Sequence, residues 1–277
     1  MLVCRFACEG IAVDPVLVPR HAVLPEGWDA FVEAHDRGWV WHLSAWLDYL
    51  VASGRKDESY AVMDGSRIVG LCPVCLPVPT DDPLPAPIGI NTALISWPTR
   101  GQPQRERTPN GFETRVIDLS LNETALWTGL RRSSHALIHR AEETYAVTLA
   151  SSLDGLASLY AGRPDLPQLN MGQWECLGRL HESGVLRVYE ARHRQLDGLV
   201  GAVALDGFKN WWYYAHGRSV VLNVNLLLLW RAALVLKSEG CPWLEIGWTA
   251  RPEDDEKAKQ IAYHKQAFGG EMWWIPT

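Results

Sequence analysis

Apolar residues recur at helical spacing from Trp28 to Val51, with Trp28, Phe31 and Val32 before Gly38 and Trp41, Trp46 and Leu50 after it. That pattern predicts two short helices around a glycine break. Tyr60 to Met63 and Ile68 to Val78 flank Gly65 and read as a β-hairpin, followed by the proline-rich loop Pro77 to Pro87. Ile88 to Trp97 reads as a further strand, Thr99 to Asn110 as loop and Thr114 to Leu119 as strand. Ser120-Leu-Asn-Glu123 has the form of a capping box, with Ser120 as cap, and starts a helix carrying Leu126, Trp127 and Leu130.

The second half repeats the theme. Leu153 to Tyr160 and Gln173 to Ser183 read as helices, Val185 to Arg192 as a strand, and Asp197-Gly198 as a hairpin turn into Leu199 to Leu205. Lys209 to His216 is a strand, Asn223 to Lys237 a buried helix ending at Gly240, Trp243 to Trp248 a central strand, and Glu256 to Phe268 a last helix stopped by Gly269-Gly270. The order implies a mixed α/β (α+β) chain of two halves, residues 1–130 and 131–277.

At 277 residues, 47% hydrophobic and 21% charged, the chain has the composition of a folded globular protein. The greasiest stretch, Val220 to Trp230, is broken by Asn223 and Asn225 and falls short of the ~20 apolar residues of a membrane span. The N-terminus MLVCRFACEG has no cationic leader, apolar run and cleavage site in sequence, so a cytoplasmic location is expected. A net charge of −6 is not that of a DNA-binding protein, although a local basic patch is compatible with it.

Six cysteines are too sparse for a disulfide scaffold. Cys72 and Cys75 form a C-x-x-C that Cys4 and Cys8 could complete to four thiolates, but it sits in a strand-like run rather than a knuckle turn, so no metal is expected. Walker, G-x-G-x-x-G, H-E-x-x-H and G-x-S-x-G motifs are missing from the sequence, which removes support for NTPase, dinucleotide, zincin and α/β-hydrolase chemistry. The most basic segment, RRSSHALIHRAEE, carries Arg131, Arg132, His135, His139 and Arg140 at spacings that put several of them on neighbouring helical turns, either as a solvated face or as an anion-binding one.

Three stretches resemble Fem-type transferases of the acetyltransferase-like (GNAT) superfold: His42-Leu-Ser-Ala-Trp46 with the following GSRIVGLCPV, Trp212-Tyr-Tyr-Ala-His-Gly-Arg-Ser219, and Ala233 to Gly270. The last is similar to the family's D-x-G strand and K-x-x-F-G signature in Glu245-Ile-Gly247 and Lys265-Gln-Ala-Phe268-Gly269, with Glu in place of Asp and His264 where an aromatic usually precedes the lysine. Together these pieces span most of residues 28 to 274.

The resemblance implies two GNAT-like halves sharing a cleft, with mixed central sheets flanked by helices. It also implies transfer of an amino acid from aminoacyl-tRNA to the amine of a small peptide, natural product or cell-wall precursor, without a cofactor. By it Lys265 sits at the reacting ester, where a fixed cation stabilises the tetrahedral oxyanion. His216 or Glu245 then takes the proton of the attacking amine. Tyr213, Tyr214, Arg218, Asn223, Trp248, Phe268 and Trp46 are the candidate substrate-binding residues, and only one of the adjacent tyrosines can face a cleft. Arg131, Arg132 and Arg140 are the candidate contacts to the tRNA acceptor end.

Two alternatives stand. An acyl-CoA enzyme of this superfold carries a glycine-rich pyrophosphate loop, where this chain has Arg218-Ser-Val-Val-Leu-Asn223. A non-catalytic module would keep the shape and use an aromatic cleft to hold a ligand. Leu47-Asp-Tyr-Leu50 also lacks the basic residue that relatives acting on UDP-linked muramyl peptides place after the first-half Trp.

Overall fold

The computed structural model describes residues 15–77, 84–85, 87–89, 99–100, 103–106, 111–164, 167–248 and 256–276. The first half begins with β1 (Val16–Pro19), followed by α1 (Pro25–Ala34) and α2 (Ser44–Ala52). α1 starts on Pro25, at a position where a missing N–H costs nothing, and buries Trp28 and Val32 one helical turn apart. The break between the helices requires Gly38, because a methyl group there would stand 1.9 Å from the Val32 carbonyl oxygen.

β2 (Lys56–Asp57), β3 (Tyr60–Asp64), β4 (Arg67–Cys72) and β5 (Cys75–Leu76) complete this region. β1, β3 and β4 form an antiparallel sheet, with β3 in the middle. The hairpin's second strand ends at Cys72 rather than Val78. Its last partner is Tyr60, and the chain then steps past the Ser59 hydroxyl, which accepts from Val74 N–H at 2.9 Å, so that β5 pairs with β2. Ile88 makes a single bridge to Leu71, while β6 (Leu84–Pro85) and β7 (Thr99–Arg100) form a short parallel pair. The rest of the expected strand from Ile88 to Trp97, and parts of the loops around it, lie outside the described residues, as do Cys4 and Cys8. Burial pushes the Cys75 thiol up to about 11, so it is protonated at neutral pH and unlike a waiting thiolate ligand.

From there the chain runs through β8 (Gly111–Asp118), α3 (Glu123–Gly129), α4 (Arg132–Thr144), β9 (Tyr145–Leu149), α5 (Asp154–Ala161) and α6 (Met171–Glu182). β10 (Leu186–His193), β11 (Leu199–Phe208), β12 (Trp211–Ser219), α7 (Val224–Ser238), β13 (Trp243–Trp248), α8 (Glu256–Lys265) and β14 (Glu271–Pro276) follow. The cap of α3 is Asn122, whose side chain accepts from Ala125 N–H at 2.8 Å, whereas Ser120 donates its hydroxyl to Asp118. The last helix ends at Lys265 and continues as a 3₁₀ turn over Gln266–Phe268. The sequence pattern does not display β1, β2, β9 or β14, and it reads the two-residue strands β6 and β7 as loop.

Seven strands form one mixed sheet in the order β14-β8-β13-β12-β11-β10-β9, so β8 from the middle of the sequence lies between β14 and β13. One apolar cluster, holding Trp28, Leu47, Leu156, Leu177, Val188 and Ala204, joins α1, α2, α5 and α6 to one face of this sheet. A second, around Ile138, Val203, Leu228, Ile246 and Phe268, packs α4 and α7 on the other. α7 buries apolar residues almost all round, as a central helix does. Among the described residues no helix is long and apolar enough to cross a membrane.

Candidate functional site

The pairs of the large sheet are antiparallel except β12 with β13, and that parallel pair is short. Trp211, Trp212 and Tyr213 face Trp243, Leu244 and Glu245; pairing then stops, although β12 continues to Ser219 and β13 to Trp248. Both strands carry an irregularity towards their outer neighbours at this point, between Tyr214 and His216 on β12 and between Glu245 and Gly247 on β13. Bulges increase local twist, and one on each side separates the two strands into a wedge. The mouth of the wedge is the carboxyl end of a parallel pair, where open α/β sheets bind ligands.

Lys265, at the end of α8, projects into this wedge and is only 7% exposed. A methyl group on Gly247 would stand 2.6 Å from Lys265 Nζ and 3.6 Å from the Tyr213 hydroxyl, so the ammonium and the phenol converge on the space that the missing side chain of Gly247 leaves. Gly247 also has φ of 90°, a conformation that side chains with a Cβ resist. Glu245 lies beside Tyr213 in register, fully buried, and accepts from the Thr114 hydroxyl at 2.7 Å. His264, next to Lys265, is held below its ordinary pKa by burial and by the Arg131 and Lys265 charges.

The β12 bulge decides which side chains face the wedge. Tyr213 packs with Trp211 towards the α1–α2 cluster, while Tyr214 packs with Trp212 towards α7. Simple alternation would put His216 on the Tyr214 face. The extra residue, Ala215, returns it to the Tyr213 face, opposite Ala204 of the first cluster. There His216 Nδ1 lies 3.1 Å from the hydroxyl of Tyr160, on α5. Burial pushes the His216 pKa down to about 4, with the nearby Arg218 cation adding to the shift. Arg218 stacks on the Tyr160 ring at 4.1 Å and donates to the Pro167 carbonyl at 3.3 Å, with no carboxylate partner among the described residues.

The remaining predicted residues are distributed unevenly. Tyr214 is on the far face, its hydroxyl against Gly217, and burial raises its pKa. Phe268 is buried in the second cluster beneath the wedge. Asn223 is the N-cap of α7, in the left-handed region at φ 67° and without a side-chain capping bond. The Trp248 side chain lies outside the described residues. Trp46 stacks on Tyr49 at 5.1 Å and leans on Trp41, which meets Tyr213 edge-on at 5.4 Å, so aromatic rings carry the first half up to the wedge.

Arg131 is tied to the helix that carries Lys265. Its guanidinium covers the Tyr263 ring at 3.8 Å and donates to the Tyr263 carbonyl at 2.8 Å, and its N–H donates to the Ala267 carbonyl. Arg132 and Arg140 are exposed on α4. Among the described residues no group of three His, Cys, Asp or Glu is placed to hold a metal ion. Sequence reasoning missed Tyr160, which reads as one more apolar position of α5, and Thr114, which reads as one of three successive polar residues, Glu113 to Arg115, at the start of a strand.

No protein-family model matches the sequence, and no curated protein is significantly similar to it. Solved structures share its fold. The structure of FemX superposes with a TM-score of 0.66 at 11% identity, over 91% of this chain and 96% of that one. L-PGS from Bacillus licheniformis gives a TM-score of 0.53 at 11% identity, over 91% of this chain and 90% of the other. A conserved protein of unknown function from Bacteroides thetaiotaomicron VPI-5482 gives 0.50 at 10% identity, over 92% and 97%. The chain therefore shares the fold of FemX and L-PGS.

Proposed function

We propose that the protein is an aminoacyltransferase that moves an amino acid from the ester of aminoacyl-tRNA to the amine of a small peptide, natural product or cell-wall precursor. The observation that carries this reading is the convergence of Lys265 Nζ and the Tyr213 hydroxyl on the face of Gly247 where a side chain would stand, inside the wedge. A fixed cation in a site largely closed to water is the group that an ester's developing oxyanion needs. The fold shared with FemX is in keeping with this chemistry.

In this mechanism the acceptor nitrogen attacks the ester carbonyl carbon, and the carbonyl oxygen becomes an oxyanion facing Lys265. His216, neutral at physiological pH, takes a proton from the attacking nitrogen. Collapse of the intermediate breaks the bond to the ribose oxygen, which leaves with that proton as a hydroxyl, and an amide forms. Glu245, closed off from solvent and bonded to Thr114, braces β13 instead of acting as base. The seven-stranded sheet, with β8 included, holds the donor end, with Arg218 available to an anionic group. The part of the chain before β8 presents the acceptor across Trp41 and Trp46. No cofactor takes part.

An acyl-CoA donor is the competing reading. Against it, the turn before α7 exposes Val220 and Leu222 at 60% and 90% where a pyrophosphate loop has glycines. The test is incubation of the purified protein with radiolabelled aminoacyl-tRNA pools and, separately, acetyl-CoA, each with a panel of amine acceptors. Ribonuclease-sensitive, acceptor-dependent transfer of label supports the proposal. Consumption of the CoA thioester alone replaces it with an acyl-CoA enzyme, and no transfer at all favours a binding module.

A further inference from the structure

The two edges of the seven-stranded sheet are finished differently. At one edge β14 exchanges backbone hydrogen bonds with Gln104 at Trp274 and ends in Pro276, which has no N–H to offer. At the other, β9 pairs with β10 alone among the described strands. Its sequence, Tyr-Ala-Val-Thr-Leu, has no charge, proline, glycine or bulge, the devices by which proteins protect an open edge.

The ladder fixes which backbone groups of β9 are free. Ala150 N–H donates to the Val188 carbonyl, and the Thr144 carbonyl accepts from Arg194 N–H. By the alternation of an antiparallel pair, even-numbered residues face β10, and Tyr145, Val147 and Leu149 turn their backbone groups outward. The side chains of those three lie on the α7 side. Tyr145 and Val147 pack against the second cluster, and all three line an open cavity of about 510 Å³ between β9 and α7, together with Leu227, Arg231 and Leu234. Leu149 is 54% exposed.

We propose that the protein forms a twofold dimer in which β9 pairs antiparallel with β9 of a second copy, centred on Val147. Such an axis sets the two Val147 residues as a hydrogen-bonded pair and brings the partner subunit's Leu149 opposite Tyr145. Its N–H then meets the Tyr145 carbonyl, while the Tyr145 N–H stays with Ala141 as the cap of α4. The partner's Leu149 enters the Tyr145 end of the cavity, beside Leu227 and the Arg231–Glu142 ion pair. An exposed leucine and an unfilled cavity at reciprocal positions of one strand are self-complementary under this axis, which is what an isologous interface requires. The segment brought opposite Glu142 and Arg231 is Leu149-Ala-Ser-Ser152, so no like charges meet.

Sedimentation equilibrium of the full chain over a micromolar concentration series tests this. Wild type is expected at twice the mass of one chain. Leu149→Arg, at a position exposed enough not to disturb folding, should halve the mass, because the new cation would face the partner's Arg194 and Arg231. Leu149→Glu should weaken the dimer far less than Leu149→Arg, because Arg194 and Arg231 outnumber the single carboxylate of Glu142 at that end of the cavity. A monomeric wild type overturns the proposal, as does an Arg variant that remains dimeric or a Glu variant that dissociates as completely as the Arg one.

Discussion

The Tyr160 hydroxyl and His216 Nδ1 lie 3.1 Å apart, joining α5 to the strand that forms one wall of the wedge. His216 Nε2 has no hydrogen-bond partner among the described residues, so only one of the two ring nitrogens is held by them. In the tautomer that donates Nδ1–H to Tyr160, which the proposed base role requires, Nε2 keeps its lone pair for an acceptor amine. Tyr160→Phe removes that restraint without changing the ring packing against Trp174. We expect kcat to fall about tenfold with KM little changed, and His216→Ala to cost about a hundredfold or more. Steady-state kinetics of both variants decide it. A rise in KM with kcat unchanged would assign Tyr160 to substrate binding.

Protonation of His216 at about pH 4 also makes a prediction about the rate profile. A histidine with its ordinary pKa would switch off a base between pH 7 and 6. Here the imidazole is neutral well below that range, so any acid limb above pH 5 belongs to the acceptor amine and should move when acceptors of different basicity are compared. An NMR titration of the His216 ring that showed an inflection near 6.5 would remove the basis of this prediction.

Lys265 and Gly247 form a pair that two substitutions separate. Lys265→Met keeps the apolar stem and removes the charge, and should lower kcat about a hundred- to a thousandfold. Gly247→Ala leaves the lysine in the sequence but puts a Cβ 2.6 Å from Nζ at a φ of 90°. Strain of that kind costs about 1–3 kcal/mol. The alanine variant should therefore lose both stability and most of its activity, measured by thermal melting and turnover side by side. Full activity in Gly247→Ala would show that the Nζ position is not critical.

Much of the scaffold is legible in the sequence because burial imposes a period. Trp28 with Val32, and the run from Val224 to Leu236, repeat at helical spacing since one face or the whole helix meets a core. The strands that were missed are short and take their identity from partners: β9 from β10, β1 from β3 and β14 from β8. The site was legible in part. Lys265 and Tyr213 stand in the wedge as their motif suggests, whereas the face on which His216 and Arg218 project is set by the bulge at Ala215. A bulge is a property of two strands together, and no pattern along one of them displays it.

The helix cap offers a local test of the same lesson. Asn122, not Ser120, accepts the free N–H of the first turn of α3, from Ala125. Asn122→Ala should lower stability by about 1 kcal/mol. Ser120→Ala breaks only an exposed bond to Asp118 and should change it by a few tenths at most. Urea denaturation of the two variants distinguishes them, and the reverse order would restore Ser120 as the cap.

Asp206 sets the sign of a pH dependence. It is fully buried on β11 beside Tyr213, neither carboxyl oxygen has a hydrogen-bond partner among the described residues, and burial raises its pKa from 3.8 to about 7. The folded protein therefore holds a proton that the unfolded chain has released between about pH 4 and pH 7. A state that binds more protons loses relative stability as pH rises, so this group's contribution is fully present below pH 4, declines through that window and is constant above 7. At about 1.4 kcal/mol for each tenfold change in proton affinity, the decline approaches about 4 kcal/mol. Asp206→Asn is close in shape and cannot ionise, so it should remove that decline. The stability difference between variant and wild type, measured by urea unfolding at several pH values, should grow in favour of Asn from pH 4 to 7 and then level off. A difference that stays flat over this range would mean that Asp206 is ionised in the folded protein and has found a partner for its charge.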